Sequence, residues 1–346
     1  MMFGKRGLSS APPAKPPVLV IAGPTASGKS GLALAVAQAA GGEIINADSM
    51  QVYAGLGIVT AQPDTATQTL VPHHLYGVLP PEPPCSAARW RTLAIAAITA
   101  TLDGGRLPVV VGGTGLYLRA LIAGLSEIPP IPPKIRAQAR DKLAELGPAG
   151  LHAELSAQDQ RTAARLKPGD SQRVVRAWEV LVATGRPLAE WQETPPSGSP
   201  LEPDFRIVIL DPPRAALYAA CDRRFAEMVK AGAVEEVRIL LATRLDPDLP
   251  ALRDTDLPAL RALGVPELSD HLRGTISLGQ AIERAQQATR NYAKRQTTWF
   301  RHQLTGHQPP PERVAAFGSA PEALQVCLDL LAGNQRHLDL RELGRY

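Results

Sequence analysis

The sequence predicts an α/β protein, a doubly wound parallel sheet with a helical insertion domain, and three observations carry that expectation. Short continuous apolar runs alternate with helical stretches through the first third of the chain, as in a parallel sheet whose strands are covered on both faces. Between the first run and the first helix lies a glycine loop, residues 23–30, GPTASGKS. From residue 128 to 204 the strand signal vanishes and helical periodicity with proline-rich borders replaces it.

The elements follow in order. Residues 1–17, MMFGKRGLSSAPPAKPP, have no apolar run of the kind a secretory signal needs and read as a disordered lead-in. Residues 18–22, VLVIA, are a short buried strand. SGLALAVAQAA is built of strong helix formers and closed by Gly41 and Gly42. EIINADS is expected as the second strand, ending in Asp48. A helix then runs from Ser86, a side chain suited to capping, to Gly104 and Gly105. LPVVVGGTG gives a third buried strand with a glycine turn at its end, completing the first part of the core, residues 18–127. GLSEIPPIPP ends regular structure. The insertion, 128–204, is periodic as helix over 134–193 and closes at PPSGSPLEPD. FRIVILDPP restores a strand, and the core continuation, 205–331, carries two long helices, ALYAACDRRFAEMVKAGAVEEVRILLA and SLGQAIERAQQATRNYAKRQTTWFRHQL. Residues 332–346 are a polar tail.

Composition narrows the class. With 45% hydrophobic and 20% charged residues, the chain can bury a sizeable core and is not a disordered polyelectrolyte. A net charge of +4 permits a polyanionic partner without demanding one. Cys85, Cys221 and Cys327 form no CxxC pair, fit neither a disulfide nor a zinc framework, and read as reduced thiols. No apolar run approaches the roughly 18 residues that span a bilayer. A cytoplasmic enzyme with no membrane attachment is expected.

The loop satisfies G-x-x-x-x-G-K-[ST] at Gly23, Gly28, Lys29 and Ser30, with Pro24, Thr25, Ala26 and Ser27 between. Successive backbone N–H groups and a helix N-terminus can wrap a phosphate, Lys29 adds a point charge, and Ser30 can bind Mg²⁺. Between a strand and a helix, such a loop makes the fold P-loop NTPase-like. Most loops of this kind bind ATP or GTP, so a small-molecule kinase is one reading. Kinases and NTPases place an acid on a neighbouring strand to organise Mg²⁺. Here the third strand ends VVVGGTG, without one. Asp48, in NADSMQVY, stands instead at a strand carboxyl end, the side on which open α/β sheets bind ligands. Taken alone, it fits a turn former as well. Toward the C-terminus, Arg290, Lys294, Thr297 and Arg301 share one helix face, with Tyr292, Gln296 and Trp299 opposite. That cationic face, free of acids and backed by an aromatic packing face, suits a phosphate backbone or a solvated surface.

GPTASGKS, NADSMQVY, VGGTGLYLRALIAGL, DSQRVVRAWEV and ATRNYAKRQTTWFR, in this order and spacing over residues 18–305, resemble the tRNA dimethylallyltransferases of the bacterial type, the isopentenyl-diphosphate:tRNA transferase family. The resemblance implies transfer of a dimethylallyl group from dimethylallyl diphosphate to N6 of adenosine 37 in tRNA, with release of diphosphate. It implies that residues 23–30 hold that diphosphate, with Mg²⁺ at Ser30. Asp48 would act as general base, and Thr25 would lie near the reacting amine. Arg238, in AVEEVRIL, would stabilise the leaving group, although on its own it reads as a solvated helix residue. Contacts to tRNA would come from Asp48, Ser49, Met50, Gln51, Thr114, Arg136, Gln172, Arg173, Arg176, Arg290, Lys294, Arg295 and Arg301. Thr114 taken alone is a turn hydroxyl and Arg136 a surface charge. The chain departs from the family at GVPE, 264–267, where many relatives have G-Y-[KR]-[EQ], and it shows no zinc finger of the eukaryotic type. A monomer is expected. Against this stand two rivals, the kinase and a non-catalytic RNA-binding protein with a relict loop.

Overall fold

The computed structural model describes residues 15–81, 83–194, 203–244, 258–304 and 309–333. The expected lead-in up to residue 14 and the tail from 334 lie outside the described residues, as does most of the PPSGSPLEPD border. Six parallel strands form one sheet: β1 (Pro17–Ala22), β2 (Gly42–Asn46), β3 (His73–His74), β4 (Leu107–Gly112), β5 (Asp204–Leu210) and β6 (Glu312–Val314), in the order β3-β2-β4-β1-β5-β6. The α/β class expected from the alternating runs is the class observed.

The helices are α1 (Lys29–Ala40), α2 (Thr65–Leu70), α3 (Ala87–Asp103), α4 (Gly115–Ala123), α5 (Pro133–Gln158), α6 (Gln160–Ala163), α7 (Ser171–Thr184), α8 (Leu188–Glu193), α9 (Arg214–Lys230), α10 (Ala233–Arg244), α11 (Val265–Leu272), α12 (Leu278–Gln303) and α13 (Pro321–Leu331). Strand β1 explains why its sequence carries no polar alternation. Val18, Val20 and Ala22 pack into one apolar layer with Trp90, Ile98 and Phe300, while Leu19 and Ile21 pack into the other with Leu32, Val36 and Cys327. Both faces are dry, so every position is apolar.

Several boundaries differ from the sequence expectation, each for a local reason. Gly41 alone caps α1, in the left-handed region at φ 64°. Gly42 already belongs to β2, where a Cβ would lie 2.8 Å from the Leu107 carbonyl oxygen. Strand β2 ends at Asn46, and Asp48 sits two residues past it in a turn. The single helix expected after β5 is two, broken at Ala231 and Gly232, the latter at φ 107°. Ser86 does cap α3, accepting a hydrogen bond from Arg89 N at 3.1 Å. Among the described residues no helix is long and apolar enough to cross a membrane.

The described residues up to 122 and from 203 onward form one compact unit, and those from 123 to 194 a second. The second has its own core of Leu151, Leu155, Val174 and Trp178, with the Trp178 indole donating to Glu154 at 3.0 Å. Within the first unit, α9 to α12 add a helical subcore around Phe225, Val237, Leu268 and Ala285.

Candidate active site

The carboxyl ends of β1 and β2 carry turns that line a cavity of about 640 Å³, within the size range of small-molecule sites, and a third turn, after β4, packs behind them. The glycine loop follows β1. Ala26 stands at φ 63° and Gly28 at φ 82°, so the chain winds tightly enough for Ser27 N to donate to Pro24 O at 3.3 Å. Gly28 is the N-cap of α1 and no side chain caps that helix. Its first amides therefore face the cavity as an anion-binding end. The loop is backed by Gly318, whose amide donates to Ser27 O at 2.9 Å.

Two later helices hold the loop in place. Ala26 packs on Leu217 and Cys221 of α9 and on Ala293 of α12. Thr25 is held three ways: its amide donates to Gln296 Oε1 at 2.8 Å, its hydroxyl accepts from Arg224 Nη1 at 3.1 Å, and its carbonyl lies 4.0 Å from the Cys221 thiol. Helix α12 comes so close because a stripe of Ala281, Ala285, Thr289, Ala293 and Gln296 faces inward.

On the opposite wall stands Asp48. Asn46, fully buried, fixes its turn by accepting from Asp48 N at 2.8 Å and donating to Asp48 O and Leu75 O. Asp48 Oδ1 accepts from Met50 N at 2.9 Å. Ser49 is tied to the third turn, its amide donating to the Thr114 hydroxyl at 2.9 Å. Gln51 donates to Thr60 O and Ala61 O, and Glu236 accepts from Ile58 N and Val59 N, so the strip that closes this side is held at both ends.

The electrostatics follow from burial. Desolvation pulls the Lys29 ammonium down to about 8, the neighbouring Arg224 guanidinium pulls the same way, and Asp48 and Cys221 oppose them. Arg224 is itself lowered, first by burial, with Asp48 the main opposing charge. Two poorly hydrated cations thus face one carboxylate, an arrangement short of negative charge. The phenol of Tyr292, also lining the cavity, is pushed well above its ordinary value by burial, Asp48's charge adding to it.

The sign of the Lys29 shift makes a prediction. Below about 8 the free protein presents the charged ammonium, and above it the neutral amine. A bound diphosphate favours the charged form and restores a higher value. Affinity for inorganic diphosphate should therefore lose this contribution above about pH 8, by up to about tenfold per pH unit, with proton uptake on binding that is small below that pH and approaches one proton above it. Calorimetry in buffers of different ionisation enthalpy reads that proton. If Lys29→Met shows the same uptake, Lys29 is not its source.

The sequence candidates are not all brought together. The cavity is lined by Thr25, Ala26, Gly28, Lys29, Ser30, Asp48, Ser49, Met50, Gln51 and Arg295. Gly23, Pro24 and Ser27 are buried behind the loop and shape it. Arg238 does not reach the site. It is exposed on α10 and paired with Glu235 at 3.0 Å, because Val237 and Leu240 take the inward face of that short helix. Arg224, which sequence reasoning passed over, stands where Arg238 was expected to act. The α12 cations also divide. Arg290 pairs with Asp222 and Arg301 with Asp211 at 3.0 Å, so acids from α9 and from the end of β5 reach a face that has none on its own helix. Lys294 is exposed, and Arg295 lies 5.6 Å over the Tyr292 ring. In the second unit, Arg136, Gln172 and Arg173 are exposed, Arg173 paired with Asp170 at 3.4 Å, and Arg176 is half-buried beside Glu179 at 3.4 Å. At GVPE, Gly264 is the N-cap of α11 at φ 91°, and a Cβ there would lie 2.4 Å from the Phe225 ring; Val265 is buried.

Comparison with known proteins bears on this geometry. The family model described as IPP transferase matches residues 51–303, and one described as isopentenyl transferase matches 16–69. A tRNA dimethylallyltransferase of Rhodospirillum centenum is 57% identical over 84% of this chain and 90% of its own length. That of Paramagnetospirillum magneticum is 52% identical over 91% and 97%. Among solved structures, the tRNA isopentenylpyrophosphate transferase of Bacillus halodurans is 30% identical over 92% of this chain and 97% of that one, with a TM-score of 0.63. A eukaryotic dimethylallyltransferase acting on tRNA is 26% identical over 94% and 81%, with a TM-score of 0.76. The IPP transferase model covers most of the chain, and relatives more than 50% identical match it over more than four fifths of its length, which leaves one conclusion: the chain belongs to the IPP transferase family, that of the tRNA dimethylallyltransferases.

Proposed function

We propose that this protein transfers a dimethylallyl group from dimethylallyl diphosphate to N6 of adenosine 37 in tRNA, giving N6-dimethylallyladenosine and diphosphate. The observation that carries the reading is the pair of desolvated cations, Lys29 and Arg224, set across one cavity from Asp48. An allylic C–O bond breaks with negative charge building on the diphosphate, and preorganised cations and loop amides stabilise that charge. Met50, Val59, Phe225 and Met228 line the same cavity with apolar surface suited to a prenyl tail. Asp48 accepts the N6 hydrogen. Lys294 and Arg295, with Arg136, Gln172 and Arg173 of the second unit, are the cations and amide suited to tRNA phosphates and sugars.

Mg²⁺ fits the residues present. Ser30 and Asp48 both line the cavity, and no described cluster of three or more His, Cys, Asp or Glu could hold a metal alone. Such an oxygen-poor site suits an ion that keeps several waters and binds through substrate phosphates. When bound, it would neutralise part of the leaving group's charge. The protein is proposed to act as a cytoplasmic monomer.

The test is to supply unmodified tRNA, Mg²⁺ and labelled dimethylallyl diphosphate. Label should enter tRNA, and replacing adenosine 37 should abolish it. Phosphate transfer from ATP with no labelled tRNA would favour the kinase. Binding of tRNA without any transfer would favour the relict loop. The end of β4 and the turn after it, Gly112 to Thr114, lack the acid a kinase would use.

A further inference from the structure

One buried amide touches both halves of the site. Gln296 is 6% exposed, yet neither end of its side chain is unsatisfied. Its Oε1 accepts from Thr25 N at 2.8 Å and its Nε2 donates to Gly113 O at 2.8 Å. The approach is close enough that a Cβ at residue 113 would lie 2.3 Å from Nε2, so glycine is required there. From Gly113 the connection continues through Thr114, whose amide donates to Ala47 O at 3.3 Å and whose hydroxyl accepts from Ser49 N at 2.9 Å. Ala47 and Ser49 flank Asp48. From Thr25 it continues to Arg224 through the hydroxyl.

We propose that Gln296 is a positioning residue that fixes the separation between the loop holding the donor and the turn holding the acceptor's base. The role rests on the functional reading above. Gln296 is not among the residues that line the cavity. It acts through Thr25 and Gly113, on which it imposes one spacing because a planar amide has a single donor end and a single acceptor end. Its hydrogen bond also commits the Thr25 amide to α12, which removes that donor from the phosphate-binding set. Transfer needs the allylic carbon and the amine in contact and in line, and a displacement near 1 Å costs roughly 10²-fold in rate. Binding of either partner alone has no such requirement.

Gln296→Met keeps the length and apolar stem while removing both hydrogen bonds. It should lower kcat about 10- to 100-fold, with the dissociation constants of inorganic diphosphate and of tRNA each within about threefold of the parent. Hydrogen exchange at the Thr25 amide should accelerate. Gln296→Glu gives a second readout. Its ionised carboxylate can accept from Thr25 N but repels Gly113 O. The protonated acid restores both bonds, so its kcat relative to the parent should climb as pH falls. Unchanged kcat in Gln296→Met would overturn the proposal. So would a variant in which both dissociation constants and the melting temperature deteriorate together, because that marks a packing role. Should the parent itself fail to label tRNA, the functional reading falls. The amide exchange of Thr25 then still decides whether Gln296 holds the loop: no acceleration overturns that, too.

Discussion

Asp48→Asn should lower turnover by roughly 10²- to 10⁴-fold, the usual worth of a positioned acid or base, and leave the affinity for dimethylallyl diphosphate nearly unchanged. An adenine N6 is a weak nucleophile because its lone pair is delocalised into the ring. A carboxylate that accepts one of its hydrogens orients the other lobe toward the donor and takes the proton as the bond forms. The base must also leave its stack to enter the cavity, and a hydrogen bond to its edge helps hold it there. The substitution is clean for a structural reason. Asp48 Oδ1 accepts from Met50 N and its backbone is fixed by Asn46, and an asparagine keeps both the acceptor oxygen and the turn. Only charge and basicity are lost. Steady-state labelling of tRNA measures turnover, and calorimetry measures donor binding. Turnover near that of the parent would reduce Asp48 to a turn former and pass the proton to diphosphate or water.

What the sequence revealed and what it hid divide along a physical line. Strands β1, β2, β4 and β5 were legible because their inner residues are buried on both faces, which forces short apolar runs such as VLVIA and IVIL. The glycine loop was legible because only a few residues tolerate its backbone and charge. Strands β3 and β6, two and three residues long at the sheet edges, are too short to impose a pattern. The site residues that escaped are those whose meaning depends on a partner far along the chain. Arg224 is one of two adjacent arginines in CDRRF, and nothing local distinguishes it from Arg223. Gln296 fell on the packing face of α12, where an uncharged polar residue draws no notice until Thr25 and Gly113 are seen against it. A polar side chain at an inward position of a helix was the one available signal, since buried amides need partners. Long-range pairing also brought acids to a helix face that reads as free of them, since Asp222 and Asp211, the partners of Arg290 and Arg301, are distant in sequence.

The two arginines separate most sharply in an experiment. Arg224→Gln should reduce turnover about 10²- to 10³-fold, the typical cost of removing one donor aimed at developing negative charge, and should weaken diphosphate binding as well. Its guanidinium is desolvated beside Lys29 and spends one N–H on the Thr25 hydroxyl. That leaves further donors in a fixed planar fork for phosphate oxygens. Arg224→Lys keeps the charge but loses the fork, so it should recover only part of the rate. Removing the guanidinium also removes a like charge from Lys29, whose titration should move upward from about 8, its direction set by the lost repulsion. The pH at which diphosphate affinity starts to fall should rise with it. Arg238→Gln, by contrast, changes an exposed residue whose pairing with Glu235 is a surface ion pair, worth little on its own, and should leave turnover within about twofold. A large loss in Arg238→Gln with none in Arg224→Gln would mean that α10 moves onto the donor during the reaction. The arginine inferred first from the family resemblance would then act in a closed state of the site.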